Sequence, residues 1–274
     1  MKMKDVKIEK FDSLSDFLDV LKNRKENEVF ESETLASKRI SDNLWSGTRT
    51  YEQADKLIRD GYDAGLKEMD EYRKKIKTVE KERNRVCCGV VGFAPIVPNA
   101  IVGMPLSMVC TKKEKVKRKT VRVFVDVSTS CNTDKESILK RGRELLDEII
   151  KAEVAGFQIE VVLSNFLASK GHVVGMLVRV KKYGQRINPL KCAYLLAHPS
   201  MLRRHVFRWL ETYPELEEEG FTSGYGYGLF TAMGDKIGDV KNFLLEKNII
   251  KAEDVYINME YYHENEDEIK IKIR

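Results

Sequence analysis

Val121-Arg122-Val123-Phe124-Val125-Asp126-Val127 is a β-branched, largely apolar run that changes abruptly into the hydroxyl-rich Ser128-Thr129-Ser130. Such a run reads as a strand buried on both faces. Downstream, Asp134 to Ala155 carries Ile138, Leu145, Leu146, Ile149, Ile150 and Val154 at helical spacing, and Gly156 closes it. Phe157 to Leu163 is the next strand, so a long helix joins two strands that must be parallel with a right-handed crossover. After Ser169-Lys170-Gly171, His172 to Tyr183 reads as a third strand, antiparallel to the second because the connection is short. Asn188-Pro189 starts a helix by cap and first-turn logic, and His198-Pro199 interrupts it before a second helical piece to Thr212. Asp235 to Asn248 is a further helix, and Asp254 to Tyr262 and Glu268 to Ile273 alternate as two last strands. The expectation is an α/β fold, a three-layer sandwich, over residues 119–274.

Upstream, residues 1–85 read as a helical N-terminal region. Leu14, Phe17, Leu18 and Leu21 make an amphipathic stripe that Ser13 can cap. Thr50-Tyr51-Glu52-Gln53 is a capping box opening a helix that stops at Gly61, and Ala64 to Arg85 is a charged surface helix. Val86 to Cys110 holds no charged residue, and Pro95, Pro98 and Pro105 with Gly89, Gly92 and Gly103 break any helix across it. A spanning helix is therefore excluded, and the segment is expected to be extended, turn-punctuated and buried against the rest of the protein or a partner. A basic run follows: Lys112, Lys113, Lys115, Lys117, Arg118 and Lys119 against Glu114 alone. Residues 86–118 thus separate the helical region from the α/β domain.

The 274 residues carry a net charge of +5, too mild for a dedicated nucleic-acid binder. Five cysteines, odd in number and without a Cys-x-x-Cys pair, argue for reduced thiols rather than a disulfide or zinc framework. The N-terminus lacks the pattern of a signal peptide. The histidines show no paired ligand spacing, and the glycine-rich Ser223 to Gly228 lacks the context of a nucleotide cradle.

One short motif carries chemistry. Asp126, Ser128 and Ser130 stand at the carboxyl end of a strand, where open α/β sheets bind ligands, and offer hard oxygen donors suited to Mg²⁺. The competing reading has Ser128 and Ser130 capping the helix near Asp134 and Asp126 satisfied by backbone amides. The motif and its surroundings resemble the metal-ion-dependent adhesion site of von Willebrand factor A-type domains. That resemblance implies that Asp126, Ser128 and Ser130 hold a metal whose open position accepts a partner carboxylate. It also implies a Thr from a later loop, for which Thr222 or Thr231 is available, and a second Asp, for which no Thr-Asp-Gly strand end is present. A second resemblance spans nearly the whole chain. Trp45-Ser46-Gly47-Thr48, Gly92 to Asn99, Gly103 to Met108, Lys140-Arg141-Gly142 and Ala197 to Arg204 are similar to landmarks of a tailed-bacteriophage protein family without an assigned activity.

The functional expectation is a non-enzymatic binding or assembly protein that recognises a phage or host protein, with Mg²⁺ as candidate ion and a homo-oligomer as a candidate state. Its expected place is the host bacterial cytoplasm or the virion, with no membrane role. The alternative is nucleic-acid handling through Lys112 to Lys119 with Arg203 and Arg204, which would give steeply salt-dependent binding.

Overall fold

The computed structural model describes residues 3, 5–30, 35–40, 45–63, 84–113, 119–214, 216, 221 and 225–264. The elements are β1 (Asp5–Phe11), α1 (Leu14–Asn23), α2 (Tyr51–Asp60), β2 (Asn84–Gly89), β3 (Ala94–Pro95), α3 (Val97–Ile101) and β4 (Met108–Lys113). They continue as β5 (Thr120–Asp126), α4 (Lys135–Val154), β6 (Gln158–Ser169), β7 (His172–Lys181) and α5 (Pro189–Ala197). A π-helical segment (Met201–Val206), α6 (Phe207–Glu211), β8 (Tyr227–Gly228), α7 (Leu229–Ala232), α8 (Ile237–Glu246), β9 (Val255–Asn258) and α9 (Met259–Glu264) complete them. The chain divides into two compact units, residues 1–70 with 120–274, and residues 71–119.

The larger unit is a mixed α/β fold whose sheet runs β1-β7-β6-β5-β9, with β8 beside β6. The β1–β7, β5–β6 and β5–β9 pairs are parallel, and β6–β7 and β6–β8 are antiparallel. β5 therefore lies between two parallel neighbours, as its apolar run requires. Val123, Val125, Val161 and Leu163 are buried on one face of the sheet, and Phe124 and Val162 alternate onto the other. There Phe124 and Val162 join Phe166, Phe230, Leu244 and Tyr256 in one cluster. Helix α4 begins where Asp134 accepts the Ser137 amide at 2.8 Å. Ser169 pairs with His172 across the β6–β7 turn, whose Lys170 and Gly171 both have positive φ, as a two-residue hairpin demands.

Local signals predict the caps correctly. Ser13 accepts the Asp16 amide, Thr50 accepts the Gln53 amide, and Gln53 Oε1 reaches back to the Arg49 amide. Asn188 caps α5 with Pro189 in its first turn. Two readings are corrected. The N-terminal region is not purely helical, because Asp5–Phe11 is a strand whose seven residues pair in parallel with His172–Val178 of β7. The segment 254–262 is a strand only to Asn258. There the Asn258 carboxamide accepts the Tyr261 amide at 2.9 Å and starts α9. The helix expected over 64–85 lies outside the described residues up to 83, and residues 84 and 85 are strand; the strand expected over 268–273 lies wholly outside them.

The smaller unit contains a three-stranded antiparallel sheet in the order β2-β4-β3. It is extended and turn-punctuated, as the prolines and glycines require. It is not buried: Val86, Val90, Val91, Phe93, Val97, Ile101, Val102, Met104 and Leu106 are all exposed. Apolar composition predicts burial, but these side chains, most of them in the connections between the strands, are left uncovered by the described part of the chain. Among the described residues, no helix is long and apolar enough to cross a membrane.

Candidate functional site

The carboxyl ends of β5 and β9 bring Asp126 and Asn258 into one row with Ser164, which lies midway along β6. Asp126 is fully buried there and its carboxylate is saturated. Oδ1 accepts the Ser128 amide at 3.0 Å and the Ser128 hydroxyl at 2.5 Å. Oδ2 accepts the Tyr256 hydroxyl at 2.7 Å and the Asn258 carboxamide at 3.2 Å. Burial pushes the Asp126 carboxyl above its ordinary range, against the pull of these donors. Asn165 also donates to the Ser128 hydroxyl, at 3.1 Å. Ser130 is oriented by its neighbours: its amide donates to Glu260 at 2.7 Å, and its hydroxyl accepts the Asn132 amide. The Thr133 hydroxyl donates to the same Glu260 oxygen at 3.1 Å.

A divalent cation fits this arrangement poorly. Metal binding needs lone pairs aimed at a common point, and both oxygens of Asp126 already accept two hydrogen bonds apiece in a closed interior. Among the described residues no three His, Cys, Asp or Glu side chains could hold an ion together. Thr222 lies outside the described residues.

Above this locked floor a cavity of about 440 Å³ opens. One wall is the loop Thr129-Ser130-Cys131 with Glu260; the other is aromatic, from Trp45, Phe207 and Tyr225. Phe207 and Tyr225 stack at 3.9 Å with an interplanar angle of 11°. The Trp45 indole donates to the Cys131 carbonyl at 3.0 Å, bridging the two walls. Thr129 lines the cavity, and its buried hydroxyl has no hydrogen-bond partner among the described residues. The β6–β8 pairing brings the glycine-rich strip to the rim. At Gly226, with φ of 71°, a Cβ would meet the Ala168 carbonyl oxygen at 2.9 Å; at Gly228 it would meet Ser128 at 3.1 Å.

Arg203 and Arg204, expected as a basic face, point inward. Arg203 donates to the carbonyls of Trp45, Ser130 and Thr133, and its guanidinium lies 4.7 Å from the Trp45 ring centre. Burial draws its pKa down to about 10. Arg204 donates to the carbonyls of Ala36, Arg39, Thr48 and Arg49. Both are buried, so neither presents a surface charge to a phosphate. Of the other expected basic residues, Lys112 and Lys113 belong to β4, Lys119 is exposed beside β5, and Lys115, Lys117 and Arg118 lie outside the described residues.

Two of the sequence landmarks meet one another. The Ser200 hydroxyl donates to the Ser46 carbonyl at 2.5 Å and lies 2.9 Å from the Thr48 hydroxyl. Gly47 has a φ of 77°, and a Cβ there would strike Pro199 at 2.7 Å. Trp45-Ser46-Gly47-Thr48 and His198 to Arg204 thus form a clamp that holds Trp45 at the cavity. Tyr256, Asn258 and Glu260 were not expected at the site. Asn258 followed by an acidic Glu260 is a helix-start signal that could have exposed the turn bringing them there.

A family model described as "Domain of unknown function (DUF7192)" matches residues 2–272. No curated protein and no solved structure matches the chain.

Proposed function

This chain belongs to the family described as Domain of unknown function (DUF7192), and from that starting point we propose that it is a recognition protein that captures a protein partner in the cavity above its sheet. The observation that carries this reading is the contrast between floor and cavity. The Asp126 network is closed, whereas the space over Thr129 and Ser130 is open, apolar on one wall and polar on the other. Its volume falls in the range of about 300–1,000 Å³ that ligand pockets occupy. Such a space fits an apolar or aromatic side chain of a partner, with a polar group reaching Thr129 or Glu260. Aromatic anchors of this kind dominate interface energetics.

The Asp126-x-Ser128-x-Ser130 motif, followed by a long helix and an antiparallel strand pair, supports an A-type-like arrangement for this reading. In it the motif shapes the loop through hydrogen bonds, and Mg²⁺ is not required. The phage-family landmarks support a setting in the host bacterial cytoplasm or the virion, with a phage or host protein as partner. Arg203 and Arg204 hold the clamp in this account, so nucleic acid does not enter through them.

Capture from phage-infected bacterial cells by the tagged full chain tests the proposal. Thr129→Phe fills the cavity and Tyr227→Asp charges its exposed rim; both are expected to abolish capture that wild type sustains equally in Mg²⁺ and in EDTA. Capture that survives both substitutions, or that chelation removes, overturns it.

A further inference from the structure

Residues 71–119 hold 13 Lys and Arg against 4 Glu, a net charge of +9 in a chain of net +5, so the remaining residues sum to −4. None of that charge lies between Val86 and Cys110. The register of the β2–β4 ribbon sorts the two properties in space. Asn84 pairs with Lys113 and Arg85 with Lys112 at one end, and Gly89 pairs with Met108 at the other, where the uncharged connection begins. Four residues of strand separate Arg85 from Gly89, roughly 13 Å at 3.3–3.4 Å each. The basic stem and the apolar tip are thus adjacent but distinct.

The tip is apolar on more than one side. Val91, Ile101 and Val102 are 82%, 79% and 77% exposed, and Val90 and Phe93 are exposed with them. Neighbours in sequence such as Val90 and Val91, or Ile101 and Val102, point into solvent together. One flat partner surface would leave part of this shell in water, whereas immersion covers it from all sides. The backbone is suited to immersion as well. Pro95, Pro98 and Pro105 have no N–H, and the amides of Phe93, Ile96, Ala100, Val102, Gly103 and Met104 all donate to carbonyls within the ribbon. Those groups lose no hydrogen bond on leaving water.

We propose that residues 84–113 form a peripheral attachment site for an anionic phospholipid bilayer, with the tip entering the headgroup and upper acyl region and the end of the ribbon that carries Arg85, Lys112 and Lys113 lying nearest the lipid phosphates. An apolar face buried about 5–10 Å, reinforced by neighbouring Lys and Arg, is the known physics of interfacial binding. The charge pattern selects this occupant. A second copy would bring together two segments of net charge +9 each, and a nucleic acid would neutralise the basic residues while leaving the tip in water. The proposal differs from the expectation of no membrane role, and it involves no spanning segment.

Co-sedimentation of the full chain with vesicles tests it. Wild type is expected to sediment with vesicles of equal parts phosphatidylglycerol and phosphatidylcholine, to do so far less with phosphatidylcholine alone, and to be released as salt rises. Val91→Asp combined with Ile101→Asp alters exposed side chains only and is expected to weaken partition by roughly tenfold or more, with an unchanged circular dichroism spectrum. Lys112→Glu combined with Lys113→Glu is expected to weaken it on anionic vesicles. Failure of wild type to bind anionic vesicles overturns the proposal, as does undiminished binding by the tip variant. Two further results overturn it equally: binding to a polynucleotide but not to vesicles, and a dimer that the tip variant dissociates while vesicle binding is absent.

Discussion

Four donors converge on one carboxylate at Asp126, and two of them arrive from Tyr256 and Asn258, 130 and 132 residues away in sequence. Removing the acceptor strands those donors in a closed interior, at about 1–3 kcal/mol for each buried group left without a partner. Asp126→Ala is therefore expected to lower the stability of the main unit by about 3 kcal/mol or more, read as a shift of the urea midpoint. A midpoint within about 0.5 kcal/mol of wild type would contradict the network. The sequence placed Asp126 correctly at the carboxyl end of β5, because an apolar run and its end are local features. It could not show that the oxygens were already engaged, since their donors become neighbours only when β9 pairs with β5. Glu211 gives a second test. Its carboxyl, buried behind Tyr225, accepts the Ala36 amide and the Tyr225 hydroxyl, each at 2.6 Å, through the same oxygen. The other oxygen has no hydrogen bond among the described residues, and burial raises the pKa from 4.5 to about 7. Between those values the unfolded chain has lost the proton and the folded chain keeps it, so stability falls as pH rises through the interval, by about 3 kcal/mol at most. Glu211→Gln, which mimics the protonated acid, is expected to flatten that slope in urea titrations from pH 4.5 to 8. An unchanged slope would place the titration on another group.

At the scale of elements, helices α4 and α5 cross at Gly142, where a larger residue on α4 has no room. A Cβ on Gly142 would lie 2.1 Å from the Ala197 Cα, so backbone, not a flexible side-chain end, occupies the space. Gly142→Val is expected to force the helices apart at a cost of about 3 kcal/mol, measurable by thermal denaturation; a wild-type melting point would mean that the helices are not in this contact. The cost belongs to the pair, since Ala197→Gly removes the side chain but leaves the obstructing backbone and should not rescue the variant. Sequence patterning recovered α1, α2, α4 and α5 because each carries its own cap and stripe, as Ser13, Thr50, Asp134 and Asn188 show. It missed β1 for the complementary reason. Asp5–Phe11 places Lys7, Glu9 and Lys10 among three apolar residues, and what makes it a strand is β7, more than 160 positions downstream. The landmark phrases were visible in the sequence, but their physical role was not. Gly47 lies against Pro199, and Ser200 against Ser46 and Thr48, contacts that only the fold brings together.

At the scale of the whole molecule the two units differ in composition: residues 71–119 sum to +9 and the remainder to −4, and most of the exposed large apolar side chains among the described residues lie in residues 86–106. Residues 86–110 were recognisable by composition, yet composition alone argued for burial, because exposed apolar surface of this extent is uncommon without a partner or a membrane to cover it. Each unit has its own packing: the sheet around β5 packs the cluster of Phe124, Val162 and Tyr256, and the ribbon holds itself by the β2–β4 and β3–β4 pairings. Both tryptophans of the chain, Trp45 and Trp209, belong to the larger unit, with Trp209 fully buried and Trp45 in the cavity wall. Tryptophan fluorescence therefore reports the larger unit alone. Val91→Asp with Ile101→Asp alters side chains that are already in water, and such changes ordinarily shift stability by no more than about 0.5 kcal/mol. The fluorescence-detected urea midpoint of this variant is expected to match wild type even as vesicle binding is lost. A midpoint that drops with the tip substitutions would show that the tip contributes to the stability of the larger unit, and the proposal that these side chains are free to enter a bilayer would fall with it.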